Sequence, residues 1–455
     1  MEPVEGKMAR ALDLGSISTR LHRIAELARG APDMAIVTLA HHVDLVWMYE
    51  AYRRTRKDGA VGCDEVTAAE YAAGLDHNLR SLLERFKSGQ YFAPPVRRVQ
   101  IPKGDGSKTR PIGIPTFEDK VLQRAVLMVL EAVYEQDFKD FSYGFRPDRS
   151  AHQALASLWS RLMEVRGGWV LEADISSFFD TLGHGTLRSF LDRRVRDGVI
   201  RKAIDKWLKA GVLEAGELRR LESGTPQGGV ISPLLANIYL HEVLDRWFVE
   251  EVQPCMRGPA HLIRYADDFV IVFANESDAR RVMAALPRRF AKYGLALHPD
   301  KTRLIAFSRT QGLTTGKDGG KPPTFDFLGL THYWGRSRKG SLVVKRKTAR
   351  KRQTRALKRV SLWCKRNRHL RVDQQHGYLS AVLLGHYGYF GITGNNRALG
   401  AYWHQVKRIW HVWLRRRSQR HRLTWEGFAR LLKRYPLPPP KIVHSIYRPA
   451  ANPCC

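Results

Sequence analysis

The segment Leu262–Phe273 reads LIRYADDFVIVF, in which two apolar runs rich in β-branched and aromatic residues flank an adjacent pair of aspartates. Such runs predict two strands, and the short Tyr-Ala-Asp-Asp between them predicts the turn of a hairpin. The turn would hold the carboxylates of Asp267 and Asp268 side by side at a sheet edge. Because like charges repel there, Mg²⁺, a hard cation that prefers carboxylate and phosphate oxygens, is the expected compensation. Taken alone, the segment also fits an exposed acidic turn.

Another mainly apolar run, Gly168–Ala173, predicts a strand that ends at Asp174. Three carboxylates from two such strands can hold two metal ions about 4 Å apart, one at the attacking hydroxyl and one at the leaving group. In-line phosphoryl transfer needs little more than positioning and charge neutralisation. The pattern therefore predicts a metal-dependent polymerase site, although Asp174 alone would equally fit a strand-end or helix-capping residue.

Three motifs occur one after another along the chain: Ala173–Asp180 (ADISSFFD), Gly224–Asn237 (GTPQGGVISPLLAN) and Tyr265–Asp268 (YADD). Their order and spacing resemble the palm motifs of bacterial group II intron reverse transcriptases, also called maturases. The similarity extends over nearly the whole chain and takes in Ile101–Lys103, Arg110–Pro115, Ser142–Pro147, Ser150–Leu155, Phe327–Leu330 and Tyr435–Pro440.

The resemblance implies an α+β right-hand polymerase, with fingers and a palm built on an antiparallel sheet. It implies an RNA-directed DNA polymerase that binds its group II intron RNA, assists splicing and copies the intron by target-primed reverse transcription. Its partners would be the intron RNA, target DNA with a primer, and deoxynucleoside triphosphates. Asp174, Asp267, Asp268 and the Ile175 backbone carbonyl would hold two Mg²⁺ ions, with Mn²⁺ as a possible substitute.

The same resemblance implies a nucleotide pocket. Phe179 would crowd a 2′-hydroxyl and favour deoxynucleotides, while Phe178 would point elsewhere if the segment stays extended. The triphosphate would be gripped by Lys103 and Arg110, as a point charge and a bidentate donor. Gln227 would contact the nucleotide, and Gly228 and Gly229 beside it would let the backbone approach closely. Lys301 would act as a general acid that protonates departing pyrophosphate. Core phenylalanines and solvated surface cations are the alternative interpretations of these residues.

The charge is unevenly distributed along the chain. The whole sequence has 76 Lys and Arg against 44 Asp and Glu, a net charge of +32 and a pI of about 10.3. Residues 327–455 hold 29 basic residues and only two acidic ones, Asp373 and Glu426, which leaves +27. Such a polycation predicts salt-dependent nucleic-acid binding. The candidate contacts are Arg346, Lys347, Arg350, Lys351, Arg352 and Arg355.

Apolar and aromatic residues at helical spacing, such as Val406, Trp410 and Trp413, run through this basic region. They predict a folded helical thumb, the maturase or X domain of the family, rather than a disordered tail. Residues 1–90 are also predicted helical, and the resemblance implies an N-terminal extension that binds RNA and template. The expected domains are 1–90, fingers and palm at 91–318, and the thumb with a short tail at 319–455.

The five cysteines form no CxxC pair, so a zinc finger or a disulfide framework is not expected. Many relatives carry an endonuclease module with paired metal-ligand cysteines. Because no such pairs are found here, cleavage of the second DNA strand by the protein itself is not expected. A borrowed primer, such as a nascent DNA strand, is expected instead. No signal peptide or long apolar span is evident, which predicts a bacterial cytoplasmic protein without membrane contact, nucleoid-associated when bound to target DNA.

Two alternatives remain open. One is a domesticated, defence-associated or CRISPR-associated reverse transcriptase, which differs in biological role but not in chemistry. The other is a non-enzymatic RNA-binding splicing cofactor with a vestigial palm, against which the intact aspartates argue.

Overall fold

The computed structural model describes residues 14–103, 108–214, 217–219, 224, 228–309, 322–337, 339–418 and 423–445. The helices are α1 (Leu14–Gly30), α2 (Leu45–Arg54), α3 (Ala68–Ala73), α4 (Leu75–Ser88), α5 (Phe117–Tyr134), α6 (Ala151–Glu164), α7 (Phe178–Thr181), α8 (His184–Leu191), α9 (Gly198–Lys209), α10 (Ser232–Leu240), α11 (Glu276–Ala291), α12 (Arg350–Arg366), α13 (Val372–Phe390), α14 (Asn396–Arg415) and α15 (Trp425–Arg434). The strands are β1 (Val96–Lys103), β2 (Lys108–Ile114), β3 (Trp169–Asp174), β4 (Val212–Glu214), β5 (Glu217–Arg219), β6 (Ala260–Tyr265), β7 (Asp268–Phe273), β8 (Arg303–Ala306), β9 (Phe325–Phe327), β10 (Leu330–Arg336) and β11 (Leu342–Thr348).

The N-terminal region is helical, as the sequence predicts. Asp44 caps α2 by accepting a hydrogen bond from the Trp47 backbone N–H, and α4 ends at Gly89 in the left-handed conformation. The Trp47 side chain is fully buried and donates to the Ala125 carbonyl in α5 at 2.9 Å. These helices therefore share one hydrophobic core with the elements that follow rather than forming a separate unit.

An antiparallel sheet of order β6-β7-β3-β8, here called the central sheet, carries the aspartate hairpin, and its antiparallel pairing is as predicted. Leu171 and Ile271 face the core shared with the N-terminal helices, whereas Val170 and Val270 face a second core. Because both faces of strand β7 are buried, its residues are apolar without interruption from Phe269 to Phe273. A second sheet, of order β2-β1-β4-β5, carries the β1–β2 hairpin and is here called the hairpin sheet.

The region beyond residue 319 is not helical throughout, which corrects the prediction. A sheet of order β11-β10-β9 occupies residues 325–348 and packs on the second core of the central sheet. The Trp334 indole donates to the Phe307 carbonyl at 2.8 Å, and the Trp159 indole donates to the Val344 carbonyl at 2.9 Å. Because it shares this second core with the central sheet, the β11-β10-β9 sheet belongs to the same folded unit. The predicted domain boundary between residues 318 and 319 lies outside the described residues.

Helices α12–α15 form a bundle with its own core, so the prediction that the basic region is folded is confirmed. Val360, Leu383, Tyr402, Val406 and Trp410 meet in that core. Over the described parts of the chain, no helix has both the length and the apolar character needed to cross a membrane.

Candidate active site

The hairpin β6–β7 places the two adjacent aspartates at one end of the central sheet. Tyr265 pairs with Asp268 across the turn, so Ala266 and Asp267 are its two central residues. Ala266 has a φ of 56°, the left-handed conformation that a tight two-residue hairpin turn requires at its first central position. The predicted hairpin is confirmed.

The third predicted aspartate lies beside this pair. Strand β3 runs antiparallel to β7, and Asp174 stands directly opposite Asp268 in the register. Directly opposed residues have Cβ atoms roughly 5 Å apart. Two strands far apart in sequence thus bring their carboxylates to one sheet end.

Burial and mutual repulsion make this end of the sheet unfavourable for negative charge. Burial, followed by the negative charges of Asp174, Asp267 and Glu172, raises the pKa of Asp268 to about 7. Burial also raises the pKa of Asp267, with Asp174 adding to the shift, while Arg110 acts in the opposite direction. An excess of buried carboxylate charge is what a divalent cation would relieve, so the donor set fits Mg²⁺.

Lys301 supplies one positive charge to the cluster through an ion pair between its Nζ and Asp174 Oδ2. The loop that carries it is fixed to β3, because the His298 backbone N–H donates to the Asp174 carbonyl at 2.8 Å. Ser176 N–H likewise donates to the Ala296 carbonyl at 2.8 Å and holds the segment around Ile175. Within the described residues, no three His, Cys, Asp or Glu side chains form a preassembled metal cluster.

The predicted triphosphate grip is only partly visible. Arg110 is exposed on β2, pairs through the backbone with Ile101, and acts electrostatically on Asp267. Lys103 pairs through its backbone with Lys108, but its side chain lies outside the description. Gln227 also lies outside the described residues. Of these three side chains, Arg110 is the one that the structure describes, and it lies within electrostatic reach of Asp267.

The two phenylalanines lie in a helical turn, which corrects the assumption of an extended segment. Phe178 opens α7 and is buried against Tyr239, with ring centroids 6.3 Å apart. Phe179 is half-buried and meets Phe178 edge to face at 5.5 Å. The predicted role of Phe179 as the sugar gate stays a prediction.

Two glycines fix neighbouring segments by close backbone approach. A Cβ atom on Gly144 would overlap the Ala266 backbone nitrogen in the turn, a constraint that sequence reasoning missed despite the Tyr-Gly-Phe motif. Gly228 has a φ of 121°, and a Cβ there would lie 2.5 Å from the Gly113 carbonyl oxygen in β2. The close approach predicted for Gly228 is thus made to the hairpin sheet.

The candidate RNA contacts divide by exposure. Arg346 is 3% exposed and donates to the Leu155 carbonyl at 3.4 Å, so its predicted contact with RNA is wrong. The other candidates are accessible to solvent. Arg355 is half-buried, and the exposed ones are Lys347, Arg350, Lys351 and Arg352. Arg352 and Arg355 line a cleft of about 500 Å³ that reaches Asp268. The basic bundle is therefore continuous with the candidate active site.

The sequence matches a family described as "Reverse transcriptase (RNA-dependent DNA polymerase)" over residues 101–332. The chain belongs to this reverse transcriptase family. The matched range begins within β1, includes the three aspartates and Lys301, and ends in β10 before the helical bundle.

Named relatives of this reverse transcriptase fall into several groups. It is 38% identical to Protein YkfC of Escherichia coli over 56% of this chain and 75% of that protein. It is 44% identical to the group II intron-encoded protein LtrA of Lactococcus lactis, over 38% of this chain and 29% of LtrA. Nuclear intron maturase 2 of Arabidopsis thaliana is 26% identical over 55% of this chain and 40% of the maturase. The alignments thus span less than half of the two intron-related proteins.

Proposed function

We propose that this reverse transcriptase copies RNA into DNA at the end of the central sheet with two Mg²⁺ ions. The observation that carries the proposal is the register of β3 and β7, which sets Asp174 opposite Asp268 beside the Asp267 turn. Three carboxylates meet at this sheet end, two of them with raised pKa values, and divalent cations would balance their charge. The hairpin sheet, the central sheet and the bundle would then be the fingers, palm and thumb.

Asp174, Asp267, Asp268 and the Ile175 carbonyl would hold the metal ions, and Mn²⁺ could replace Mg²⁺. Magnesium bound there would neutralise charge on the primer hydroxyl oxygen and on the triphosphate. Lys301 now pairs with Asp174, so metal binding by that carboxylate would release its ammonium group. The released ammonium is suited to donate a proton to departing pyrophosphate.

The incoming nucleotide would lie between the hairpin sheet and the central sheet. Arg110, with Lys103 beside it on the hairpin, would bind the triphosphate, and Gln227 would contact the nucleotide. Gly228, which follows Gln227 in the sequence, packs its backbone on Gly113 in the strand that carries Arg110. Phe179 would exclude a 2′-hydroxyl.

The partner that we propose is a group II intron RNA, which the protein would bind as a ribonucleoprotein, help to splice and copy at a DNA target. Support comes from the similarity to LtrA and to an intron maturase, together with the +27 charge of residues 327–455. Residues 1–90 would add RNA and template contacts.

Primer extension on an RNA template tests the polymerase proposal. Asp267→Asn and Asp268→Asn should each abolish Mg²⁺-dependent cDNA synthesis and leave RNA affinity within about twofold, because they remove metal ligands and not the basic surface. Asp300→Asn is the matched control, because Asp300 is an exposed carboxylate next to Lys301 in the sequence. Retained synthesis by Asp268→Asn, or equal loss of synthesis and RNA binding, would contradict the proposal.

Two further experiments test its parts. Phe179→Ala should incorporate ribonucleotides, and unchanged sugar selectivity would show that the gate lies elsewhere. For the partner, the protein should be crosslinked to cellular RNA and the bound RNA sequenced. One structured intron RNA supports the maturase role, whereas a broad RNA population opposes it.

A further inference from the structure

A single buried guanidinium lies beneath the candidate catalytic turn. Arg264, two residues before Ala266, has no exposed surface. Its NH1 nitrogen donates to the Ala266 carbonyl at 3.1 Å and to Asn237 Oδ1 at 2.9 Å. Its other nitrogens form a bidentate pair with Asp245, in which Nε lies 2.8 Å from Oδ1. Arg264 therefore joins the turn directly to two side chains of the neighbouring helical segment.

The helix that supplies Asp245 departs from regular α-helical geometry. After α10, residues His241–Asp245 and Phe248–Val252 are π-helical, so the Arg246 N–H bonds to the His241 carbonyl, five residues back. Asp245, in the first of these wide turns, is fully buried on Arg264. Such π-helical turns are rare in proteins, and those that occur are often found at functional sites.

Asn237 extends the network to the other side of the turn. Its side-chain amide donates to the Gly144 carbonyl at 2.7 Å, and Gly144 is the residue packed against the Ala266 nitrogen. The backbone of Arg264 is also bonded in both directions, to the Phe141 carbonyl and from the Tyr143 N–H, each at 2.9 Å. Three segments thus converge on Ala266, the residue of the turn that has a positive φ.

Stability alone does not explain this arrangement. A buried ion pair often contributes little to folding compared with apolar residues of similar volume. The left-handed conformation of Ala266 is itself unfavourable for a residue with a Cβ atom, and it persists only where the surroundings impose it. The planar fork of arginine can hold Asp245, Asn237 and the Ala266 carbonyl at once, whereas the point charge of lysine cannot.

We propose that Arg264 is a positioning residue that fixes the direction of the Asp267 and Asp268 carboxylates by holding the Ala266 carbonyl. Asp245 and Asn237 fix Arg264 in turn. The inference rests on the proposed metal-dependent function, because its effect is exerted on the metal ligands. It adds residues that touch neither metal nor substrate to the determinants of metal affinity.

The test compares two variants of the Arg264–Asp245 pair with a variant of another buried ion pair, which serves as the control. Arg264→Lys keeps the charge but loses the fork, and the double variant Arg264→Met with Asp245→Leu removes the pair without leaving a buried charge. The control is Arg194→Lys, because Arg194 is also buried, pairs with Asp137 at 2.8 Å and donates to three carbonyls of the N-terminal region. Mn²⁺ affinity is measured by electron paramagnetic resonance, with the Mg²⁺ dependence of cDNA synthesis and the Tm alongside.

Both Arg264 variants should bind Mn²⁺ about 10- to 100-fold more weakly than the wild type, the range seen when residues that orient metal ligands are lost. Their KM for deoxynucleotides should stay within about twofold at saturating metal. The Arg194→Lys control should keep wild-type metal affinity whatever its loss of Tm. Wild-type Mn²⁺ affinity in the folded double variant, or an equal loss in the control, would overturn the positioning role. Absence of metal binding and cDNA synthesis in the wild type would instead overturn the proposed function beneath it.

Discussion

Replacement of Asp268 by asparagine is expected to stabilise the fold while it removes a metal ligand. Burial and the carboxylates of Asp174 and Asp267 raise the pKa of Asp268 from the ordinary 3.8 to about 7. The folded state therefore favours the neutral acid, whereas the unfolded chain ionises near pH 3.8. The loss of folding stability caused by ionising Asp268 is absent below that pH, grows as pH rises, and is complete above about pH 7. Asparagine keeps the shape of the side chain and carries no such charge.

The magnitude follows from the pKa difference. Each pKa unit corresponds to about 1.4 kcal/mol, so the charge lowers the free energy of unfolding by about 4 kcal/mol near pH 8 and about 2 kcal/mol near pH 5, both as upper bounds. For a protein with large domains, 1 kcal/mol shifts the Tm by roughly 2–4 °C. The Tm of Asp268→Asn should therefore exceed that of the wild type by several degrees at the higher pH and by about half as much at the lower.

The assay is thermal unfolding in a chelating buffer across this pH range, with Asp300→Asn as the control that removes an exposed carboxylate. Addition of Mg²⁺ should stabilise the wild type more than Asp268→Asn, because only the wild type keeps the full ligand set. An Asp268→Asn protein that is no more stable than the wild type near pH 8, or a Tm difference independent of pH, would refute the electrostatic reasoning.

Three further outcomes are expected. Lys301→Gln should slow single-turnover cDNA synthesis by about 100-fold or more and remove the alkaline limb of its pH–rate profile; an unchanged profile would assign the proton donor elsewhere. Arg346→Met should leave the salt dependence of RNA binding unchanged, whereas Lys351→Ala should lower the slope of log K against log salt by about one; equal slopes would contradict the division by exposure. Gly228→Ala should lose most activity, because its Cβ would lie 2.5 Å from the Gly113 carbonyl oxygen; wild-type activity would mean that the contact yields easily.

The error on Arg346 shows where reasoning from composition failed. Charge alone predicts that the basic candidates from Arg346 to Arg355 form one cationic surface, but the side chains of strand β11 alternate between two faces. Leu342, Val344 and Arg346 lie on its buried face, while Lys347 is exposed. A period of two in this segment would have placed Arg346 with the apolar residues. Net charge counts residues and does not tell which face of an element carries them.

The two phenylalanines show a different limit. The sequence suggested alternate faces of an extended chain, yet the backbone turns at Ser177, which has a φ of 46°, and α7 begins at Phe178. A bend of this kind depends on what packs against it, here Tyr239 from α10 beside Phe178. Neither residue type nor spacing signals such a turn.

The sequence by itself determined the β6–β7 hairpin and the uneven charge, because strand propensity, turn chemistry and charge count are properties of neighbouring residues. Motif order then indicated the family. Only the tertiary structure decided that Asp174 faces Asp268, that Lys301 pairs with Asp174 across 127 positions of sequence, and that Arg264 holds the turn from below. These contacts join distant segments, and their geometry is fixed by strand register and core packing rather than by any local pattern.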